Sequence, residues 1–413
     1  MPDTHESSSK LKIILPLGMV IFIDTFAMTL VYPLFAPLFS LDMAHGGIIA
    51  WDIAVHVKDI LYGLTMAVYP LFMFFTAPLL GDFSDQIGRK KVLLFCLLGA
   101  GFAACLSGVA VIIQSFWLFF ISRMIAGGVA GSLPVAQAAI TDISDERNKT
   151  VNIGLISFAY TFGVVFGPIV GGLLSNKDII SWFSFDTPFF VTTLLAISNA
   201  LILIFTFKET LAKVSKINWE HIHFLKPLIM FAQALRASSL RNVILVCFFY
   251  MVAWSMYLPF IALHLFQKYQ FTPNQIGYFV GWVGLILSVT MLFIIRILVR
   301  YFSTLQILYG GIVLSIAGIV ISMIPEALLQ WIGAIPIACG MGLAYATIIT
   351  FCSDVVAKNL QGWIMGVSTS AMAAAAGIGG LLVGVVSANS TIAFMSIILI
   401  WAISFGFAMR IKG

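Results

Sequence analysis

Apolar runs long enough to cross a lipid bilayer follow one another along almost the whole chain. A membrane-spanning helix needs about 20 consecutive apolar residues, and about twelve such runs account for most of the sequence. Hydrophobic residues make up 61% of the chain and charged residues only 9%, whereas soluble domains are about a quarter charged. The runs are also far longer than the strands of a membrane β-barrel, which have about ten residues each. The sequence therefore predicts an all-α membrane protein with about twelve transmembrane helices.

The positions of the charged residues orient these spans in the membrane. We expect spans one to six at 12–40, 58–82, 92–113, 115–141, 150–174 and 187–208, and spans seven to twelve at 240–268, 273–300, 305–323, 328–355, 361–386 and 390–410. Most of the 22 Lys and Arg residues then lie on one side. Because cations resist translocation, that side and both termini are predicted to be cytoplasmic. We expect a multi-pass protein of the cell membrane, a bacterial inner membrane, with the lipid bilayer and not nucleic acid as the partner of its basic residues.

One long polar interruption divides the spans six and six. This linker at 209–239 separates an N-terminal six-helix bundle, 1–208, from a C-terminal six-helix bundle, 240–413. Its cations alternate with apolar residues such as Trp219 and Phe231. Such a pattern fits an amphipathic helix on the membrane surface, but it also fits a flexible tether. The sequence leaves both possibilities open.

The connection between spans two and three is short and basic. It reads GDFSDQIGRKK at Gly81–Lys91, which closely resembles the loop 2–3 motif of the major facilitator superfamily, although Phe83 stands where that family usually has Leu. The residues on the defining positions are Gly81, Asp85, Gly88, Arg89 and Lys90. The resemblance implies two pseudo-symmetric six-helix bundles, the major facilitator fold, with a substrate site between them that opens alternately to either side.

The same connection predicts a latch at the cytoplasmic surface. Span eleven begins near Gln361, and its N-terminus offers unpaired N–H groups and the positive end of the helix dipole, on which Asp85 is expected to dock. Arg89 is expected to pair with Asp142 or Asp145 at the inner end of span four. These contacts would hold the two bundles together on the cytoplasmic side and favour an outward-facing state. The alternative is a solvated turn whose cations only set the topology.

Small residues recur along span five in a fixed order. Gly163, Gly167 and Gly171 are spaced by four and so line one helix face, where another backbone can approach closely. Ordinary helix packing explains any one such pair. The full arrangement resembles the span-five motif of proton-coupled antiporters in the same superfamily, and that resemblance implies export. Its members here are Gly154, Gly163, Gly167, Pro168, Gly171 and Gly172.

Two ionisable residues lie inside predicted spans. Asp24 is about 12 residues, hence about 18 Å, into span one, and Arg123 lies within span four. A charge at such depth costs about 2.5–3.5 kcal/mol and usually faces a cavity or a partner. The stretch RMIAGGVAG from Arg123 resembles the superfamily's span-four motif, whose Arg is implicated in proton coupling, and the stretch Asp24–Pro33 resembles span one of tetracycline/proton antiporters. We expect Asp24 to titrate while Arg123 holds its deprotonated form; a static ion pair is the alternative.

The C-terminal half carries aromatic and polar side chains but no obvious acid in the middle of its spans. Tetracycline antiporters generally have such acids, so tetracycline itself is a doubtful substrate. Aromatic and polar groups suit a broad amphipathic pocket, although they also suit core packing or interfacial belts. The candidates for the substrate cavity are Gln137, Tyr160, Tyr250, Trp254, Tyr257, Tyr278, Trp282 and Tyr345.

These features together predict a proton-coupled secondary transporter, an efflux antiporter for small amphipathic compounds. The alternative keeps the fold but moves a physiological metabolite such as a sugar, a siderophore or a lipid-like compound. No catalytic set, metal-ligand spacing or cofactor motif is visible in the sequence, so we expect no enzyme, a monomer, and the proton gradient as the energy source. Four polar residues before span two are expected in a solvated outer loop: Asp52, His56, Lys58 and Asp59.

Overall fold

Helices form almost all of the protein that the computed structural model describes, residues 4–41, 43–49, 53–143, 149–211, 225–354 and 361–411. No strand occurs in these ranges. Within these ranges, eleven helical segments are long and apolar enough to cross a membrane, and a further helix contributes the shorter apolar stretch Phe158–Leu174. The predicted all-α, multi-pass fold is confirmed.

The helix bounds follow the predicted spans closely. Before the linker the helices are α1 (Thr4–Leu30), α2 (Phe35–Ser40), α3 (Val55–Ile87), α4 (Arg89–Ile112), α5 (Phe116–Gly128), α6 (Ser132–Ile143), α7 (Lys149–Leu174) and α8 (Thr187–Thr206). After it come α9 (Lys226–Arg236), α10 (Ser238–Tyr269), α11 (Pro273–Val289), α12 (Ile295–Leu298), α13 (Thr304–Ser322), α14 (Ala327–Asp354), α15 (Gln361–Val386) and α16 (Ser390–Ala408). We call the end where α3 meets α4 the inner end, because its basic connection is predicted to be cytoplasmic, and the opposite end the outer end.

Three predicted spans are interrupted rather than continuous. In span one, α1 ends at Leu30, and a 3-10 turn, Tyr32–Leu34, leads into α2. Pro33 in this turn has no backbone N–H to donate to a helix hydrogen bond. Span eight contains a π-helical stretch, Thr290–Ile294, between α11 and α12. Span four was expected as one helix over 115–141, but it breaks between α5 and α6.

Side-chain-to-backbone hydrogen bonds fasten helices within each half. The Asn199 amide on α8 donates to the carbonyl of Val20 on α1 at 2.7 Å. In the other half, Trp401 Nε1 on α16 donates to the carbonyl of Tyr250 on α10 at 3.3 Å. In a bilayer the hydrophobic effect does not drive helices together, so small residues and such polar contacts supply much of their specificity.

Part of the linker is helical. Helix α9 packs against α10 and α15, and its Ala234 is fully buried. On the same helix, Leu228 and Ile229 remain exposed. An apolar strip of this kind beside the inner end of the bundle agrees with the amphipathic helix that the sequence allowed; residues 212–224 lie outside the described part of the chain.

The two halves meet through glycines near the outer end. Helix α3 packs on α15, and α7 packs on α11; we call these two contacts the outer seam. A Cβ atom on Gly380 of α15 would lie 2.7 Å from the backbone nitrogen of Ala67 on α3, and one on Gly172 of α7 would lie 2.7 Å from the carbonyl oxygen of Pro273 on α11. Backbones therefore touch directly, and the protein is closed at its outer end.

Candidate functional site

Asp24 lies beside the break in span four. It sits half-buried on α1, and its carboxylate accepts a short hydrogen bond from the hydroxyl of Ser132, the first residue of α6. The first N–H groups of a helix have no partner within that helix, and its N-terminus carries a partial positive charge. The break thus brings a helix N-terminus and a hydroxyl donor to the carboxylate inside the membrane-spanning part of the protein.

Close packing against α3 maintains this break. A side chain on Gly127 would collide with the backbone of Tyr69, and a Cβ on Gly131 would lie 2.6 Å from the Leu80 side chain. The hydroxyl of Thr76 on α3 donates to the carbonyl of Gly127 at 3.0 Å. Irregular backbone inside a membrane is tolerated where neighbouring groups satisfy its polar atoms, and Thr76 does this here.

Arg123 does not form the ion pair that the sequence predicts. Its guanidinium lies over the rings of Phe35 and Tyr69, with 5.1 Å and 4.9 Å to the two centroids. Within the described part of the chain, its Nε has no hydrogen-bond partner, and no salt bridge joins it to Asp24. The reason is the break: the carboxylate is held by the first residue of α6, whereas Arg123 lies on α5 and is held by cation–π contacts.

Two tyrosines link this site to the C-terminal half. The hydroxyl of Tyr160 on α7 lies within electrostatic range of the Asp24 carboxylate, and that of Tyr345 on α14 lies within range of Tyr160. Tyr160 is exposed and Tyr345 is half-buried. Of the predicted cavity residues, these two are brought together across the halves near Asp24.

The other predicted cavity residues are placed differently. Tyr250 is fully buried within the C-terminal half, where its hydroxyl lies 2.7 Å from that of Ser315. Trp282 donates to the carbonyl of Trp331 at 3.4 Å, and the two line an open apolar groove between α11 and α14. Tyr250 is thus packed inside the C-terminal half, and the glycine face of α11, not the Trp282 face, meets the N-terminal half. A role in the substrate cavity stays a prediction for both residues.

Four further candidates differ in exposure. Tyr278, one turn from Trp282, is 44% exposed. Trp254 is half-buried, and its ring centroid lies 6.0 Å from that of Tyr257, which is fully buried. Gln137 is half-buried on α6, two turns or less from Ser132. Only Gln137 among these four lies on an element that touches the Asp24 site.

The loop 2–3 motif forms a network inside the N-terminal half. Arg89 Nε donates to the Asp142 carboxylate at 3.0 Å, its Nη1 donates to the Ser84 hydroxyl at 2.6 Å, and Asp85 pairs with the same guanidinium. The Arg89–Asp142 contact is therefore present, whereas Asp145 lies outside the described residues. Asp85 has a 59% exposed side chain and pairs with Arg89. Its docking on the N-terminus of α15 stays a prediction, because residues 355–360 and the side chains of residues 361–363 lie outside the description.

Glu209, at the start of the linker, completes the network. Its carboxylate accepts from the backbone N–H of Arg89 at 2.9 Å and of Lys90 at 3.1 Å, so it caps the N-terminus of α4. Lys90 Nζ donates to the carbonyl of Ile204 at 2.7 Å. Gly88 has φ of +106° and lies against Glu209. These partners lie in the N-terminal half and at the start of the linker. Residues 355–360, which precede α15, lie outside the described part of the chain, so the latch between the halves stays a prediction.

The small residues of α7 serve two different neighbours. Gly163, Gly167 and Gly171 face α1, where a Cβ at Gly163 would lie 2.8 Å from the backbone nitrogen of Phe26. Gly172 and the carbonyl of Pro168 instead face α11 across the outer seam. Gly81 has open space around it, and Gly154 lies in a part of α7 whose side-chain surroundings are outside the description. One helix thus packs tightly against α1 in its own half and α11 in the other.

With this geometry established, comparison with known proteins identifies the family. The sequence model described as Major Facilitator Superfamily matches residues 17–380. The chain belongs to this superfamily. It is 34% identical over 152 residues to the class H tetracycline resistance protein of Pasteurella multocida, covering 36% of this chain and 35% of that protein. It is 26% identical over 343 residues to the class B tetracycline resistance protein of Escherichia coli, covering 82% of this chain and 80% of that protein.

Solved structures of the superfamily share the fold. The crystal structure of the human organic anion transporter MFSD10 matches with a TM-score of 0.71 at 20% identity, and the match covers 97% of this chain and 99% of that one. The matches to the first three curated relatives span only about a third of their lengths, 35%, 35% and 30%. The chain thus belongs to the superfamily by sequence and shares its fold.

Three residues of these contact networks lie outside the superfamily motifs that the sequence indicates. Ser132 and Tyr69 contact the two buried charges, and Glu209 caps α4. A signal existed only for Glu209, in the FKETL sequence that opens the linker. Asp59 was expected in a solvated loop, but it lies in α3 and is only 2% exposed; Asp52 lies outside the described residues.

Proposed function

We propose that the protein is a proton-coupled efflux antiporter for small amphipathic compounds. The observation that carries this proposal is the environment of Asp24. Its carboxylate lies within a membrane span and is held by the Ser132 hydroxyl at the start of α6, not by a cation. A carboxylate held by neutral donors changes the local charge when it binds a proton, whereas a tight ion pair with Arg would oppose protonation. Export, rather than import, rests on the resemblance of the α7 motif to that of proton-coupled antiporters.

The packing of α1 gives a route from proton binding to movement of the halves. When Asp24 is ionised, its attraction to the Ser132 hydroxyl and to the N-terminus of α6 holds α1 against span four. Protonation removes the charge and weakens this attraction. Because α1 is packed backbone to backbone on α7, and α7 on α11, a shift of α1 is transmitted to the outer seam.

Transport by purified protein in proteoliposomes tests the proposal. An imposed pH gradient is expected to drive accumulation of a fluorescent amphipathic dye by the wild type. Asp24→Asn should retain downhill dye exchange but lose the response to the pH gradient, since the amide cannot bind a proton at neutral pH. Asp178→Asn, an exposed acid between α7 and α8, is the matched control and should behave as the wild type. A full gradient response in Asp24→Asn would exclude Asp24 as the proton carrier.

A second candidate function, transport of an organic anion as a physiological metabolite, is favoured by Arg123. Its guanidinium is held over two aromatic rings, and its buried Nε has no hydrogen-bond partner in the described part of the chain. Among the described residues this N–H lacks an acceptor, and an anionic substrate group would supply one. The human structure that shares the fold is that of an organic anion transporter.

The charge of the transported compound separates the two functions. Matched amphiphiles that differ only in a carboxylate are offered to the wild type and to Arg123→Gln. The drug-efflux proposal expects the neutral or cationic member to be moved and the variant to affect both members alike. Selective transport of the carboxylate, lost in Arg123→Gln, would establish the second function instead.

A further inference from the structure

A buried carboxylate, that of Asp59, lies in the outer seam on a different helix from Asp24. Asp59 is in the first turns of α3, is 2% exposed, and has the α15 backbone packed on it: a Cβ on Gly384 would lie 3.0 Å from the Asp59 carbonyl oxygen. One helical turn further along α3, the Tyr62 hydroxyl donates to the carbonyl of Pro259 on α10 at 2.9 Å. The side chain of Asp59 is therefore enclosed by elements of both halves.

Neutral groups surround this carboxylate. Its Oδ1 lies 3.5 Å from the amide of Gln267 on α10, which also reaches the hydroxyl of Ser40 at 3.4 Å. Its Oδ2 is buried next to the hydroxyl of Ser387, which follows α15; the two groups are close enough to interact, but among the described residues neither makes a well-formed hydrogen bond. Such weak pairing of a buried carboxylate is unusual, because buried polar atoms are nearly always hydrogen-bonded.

Among the residues that the structure describes, no Lys or Arg forms an ion pair with Asp59. From α10 and α15 the groups that face it are the Gln267 amide and the Ser387 hydroxyl, and from α2 it is Ser40 by way of Gln267. The titratable group that acts on it is His56, exposed on its own helix. His264 of α10 is engaged with Ser390 at 2.9 Å. In the part of the chain that the structure describes, no group of three possible metal ligands forms.

We propose that Asp59 is a second proton-binding site of this transporter, loaded when the outer end closes. A proton on Oδ2 removes the negative charge that burial in the closed seam disfavours, and the carboxylic O–H then donates to the Ser387 oxygen. The proton comes from water on the outer side, which reaches the exposed Gln267 beside the carboxyl. On opening, α15 and Ser387 withdraw, the carboxyl is hydrated beside His56, and the proton returns to that water.

The proposal rests on the proposed function, because a proton bound in the seam matters only to a protein whose two halves separate during transport. It predicts that closure takes up one proton at Asp59. By linkage, the ratio of closed to open protein then falls about tenfold for each pH unit of alkalinisation, over the range in which the hydrated carboxyl is ionised and the enclosed one is not. External acidity thereby favours the closed state.

Distance measurements across the outer end test this directly. Spin labels are placed at Ile179→Cys and Ile324→Cys, both exposed outer positions in opposite halves, after the five native cysteines are replaced by alanine. Without substrate, the wild type in lipid nanodiscs is expected to shift from a short to a long distance as pH rises from about 4 to about 9. Asp59→Asn, which mimics the protonated carboxyl in shape, should keep the short distance throughout. Asp178→Asn and His56→Gln should titrate as the wild type does.

Two further variants keep the outcomes distinct. Ser387→Ala removes the acceptor for the bound proton while leaving Asp59 in place, so its midpoint should move to lower pH; this also covers poor folding of Asp59→Asn. Asp24→Asn should keep the outer titration even though it loses gradient-driven transport, so that failure of the proposed function is seen separately. A wild-type titration in Asp59→Asn, or an unmoved midpoint in Ser387→Ala, would overturn the assignment.

Discussion

At Gly172, a single added methyl group should shift the equilibrium between the closed and the open outer end. This glycine lies near the outer end of α7 and faces α11 across the outer seam. A Cβ there would be 2.7 Å from the carbonyl oxygen of Pro273 and 2.8 Å from the Cα of Asn274. Both are backbone atoms, which cannot rotate away as a side chain does.

The size of the effect follows from these distances. Ordinary contacts of a Cβ begin at 3.4 Å, so the two backbones must part by about 0.7 Å to admit the methyl group of Gly172→Ala. Overpacking of this kind costs about 1–3 kcal/mol. The cost applies only where the seam is closed, so the ratio of closed to open protein should fall about 5- to 150-fold.

The intrinsic gain in helix propensity does not confuse this result. Replacing Gly by Ala stabilises a helix by about 1 kcal/mol, but α7 is expected to be helical in both states, so the gain cancels. Gly310→Ala on α13 is the matched control, because its Cβ would meet nothing within 4 Å. It should raise thermal stability without changing the ratio of states.

The labels at Ile179 and Ile324 report the outcome. At acidic pH, where the wild type is expected to be closed, Gly172→Ala should show a population at the long distance that the Gly310→Ala control lacks. If both variants keep the same short distance, the α7–α11 contact does not hold the outer end shut, and the packing argument is wrong.

Three other substitutions probe the fold, each followed by thermal unfolding in detergent. Glu209→Gln should lower the unfolding temperature, since a neutral amide caps α4 less well than a carboxylate by about 0.3–1 kcal/mol; Glu326→Gln, an exposed outer residue, should not. Gly88→Ala should lower the free energy of unfolding by about 1–2 kcal/mol, because the positive φ at this position disfavours a side chain. Asn199→Leu should lower the free energy of unfolding by about 0.6–2 kcal/mol, because the hydrogen bond to the carbonyl of Val20 is lost. If any of the three variants is as stable as the wild type, the structural reason given for that residue is wrong.

Local spacing was enough to predict much of the architecture. Hydrophobic length located the spans, and the four-residue spacing of Gly163, Gly167 and Gly171 predicted a close helix contact, which α1 makes. The charge pattern predicted that Arg89 would pair with Asp142 or Asp145, and Arg89 Nε lies 3.0 Å from Asp142 Oδ2. Each of these inferences depends on residues near one another in sequence or on complementary charges, which limits the possible partners. The division into two bundles at 209–239 stays a prediction.

Long-range packing decided what the sequence could not show. The break before Ser132 depends on Thr76, 51 residues away from the carbonyl of Gly127 to which it donates. Asp59 was read as solvated because it lies at a span boundary, and its burial needs Gln267, which is 208 residues away in the chain. The cavity role of the aromatic residues in the C-terminal half stays a prediction for another reason: helices that are apolar all round do not reveal which face lies inward.

Helix α7 explains how two carboxylates at different depths can act on one movement. Asp24 is on α1, and α1 cannot shift independently of α7 because no side chain separates their backbones at Gly163 and Gly171. The opposite face of α7 forms half of the outer seam, and Asp59 lies in the other half of that seam, where α3 meets α15. A proton bound at either carboxyl therefore acts on the same rigid contact. In this arrangement the two sites need no direct contact to be coupled, since each biases one equilibrium between a closed and an open outer end.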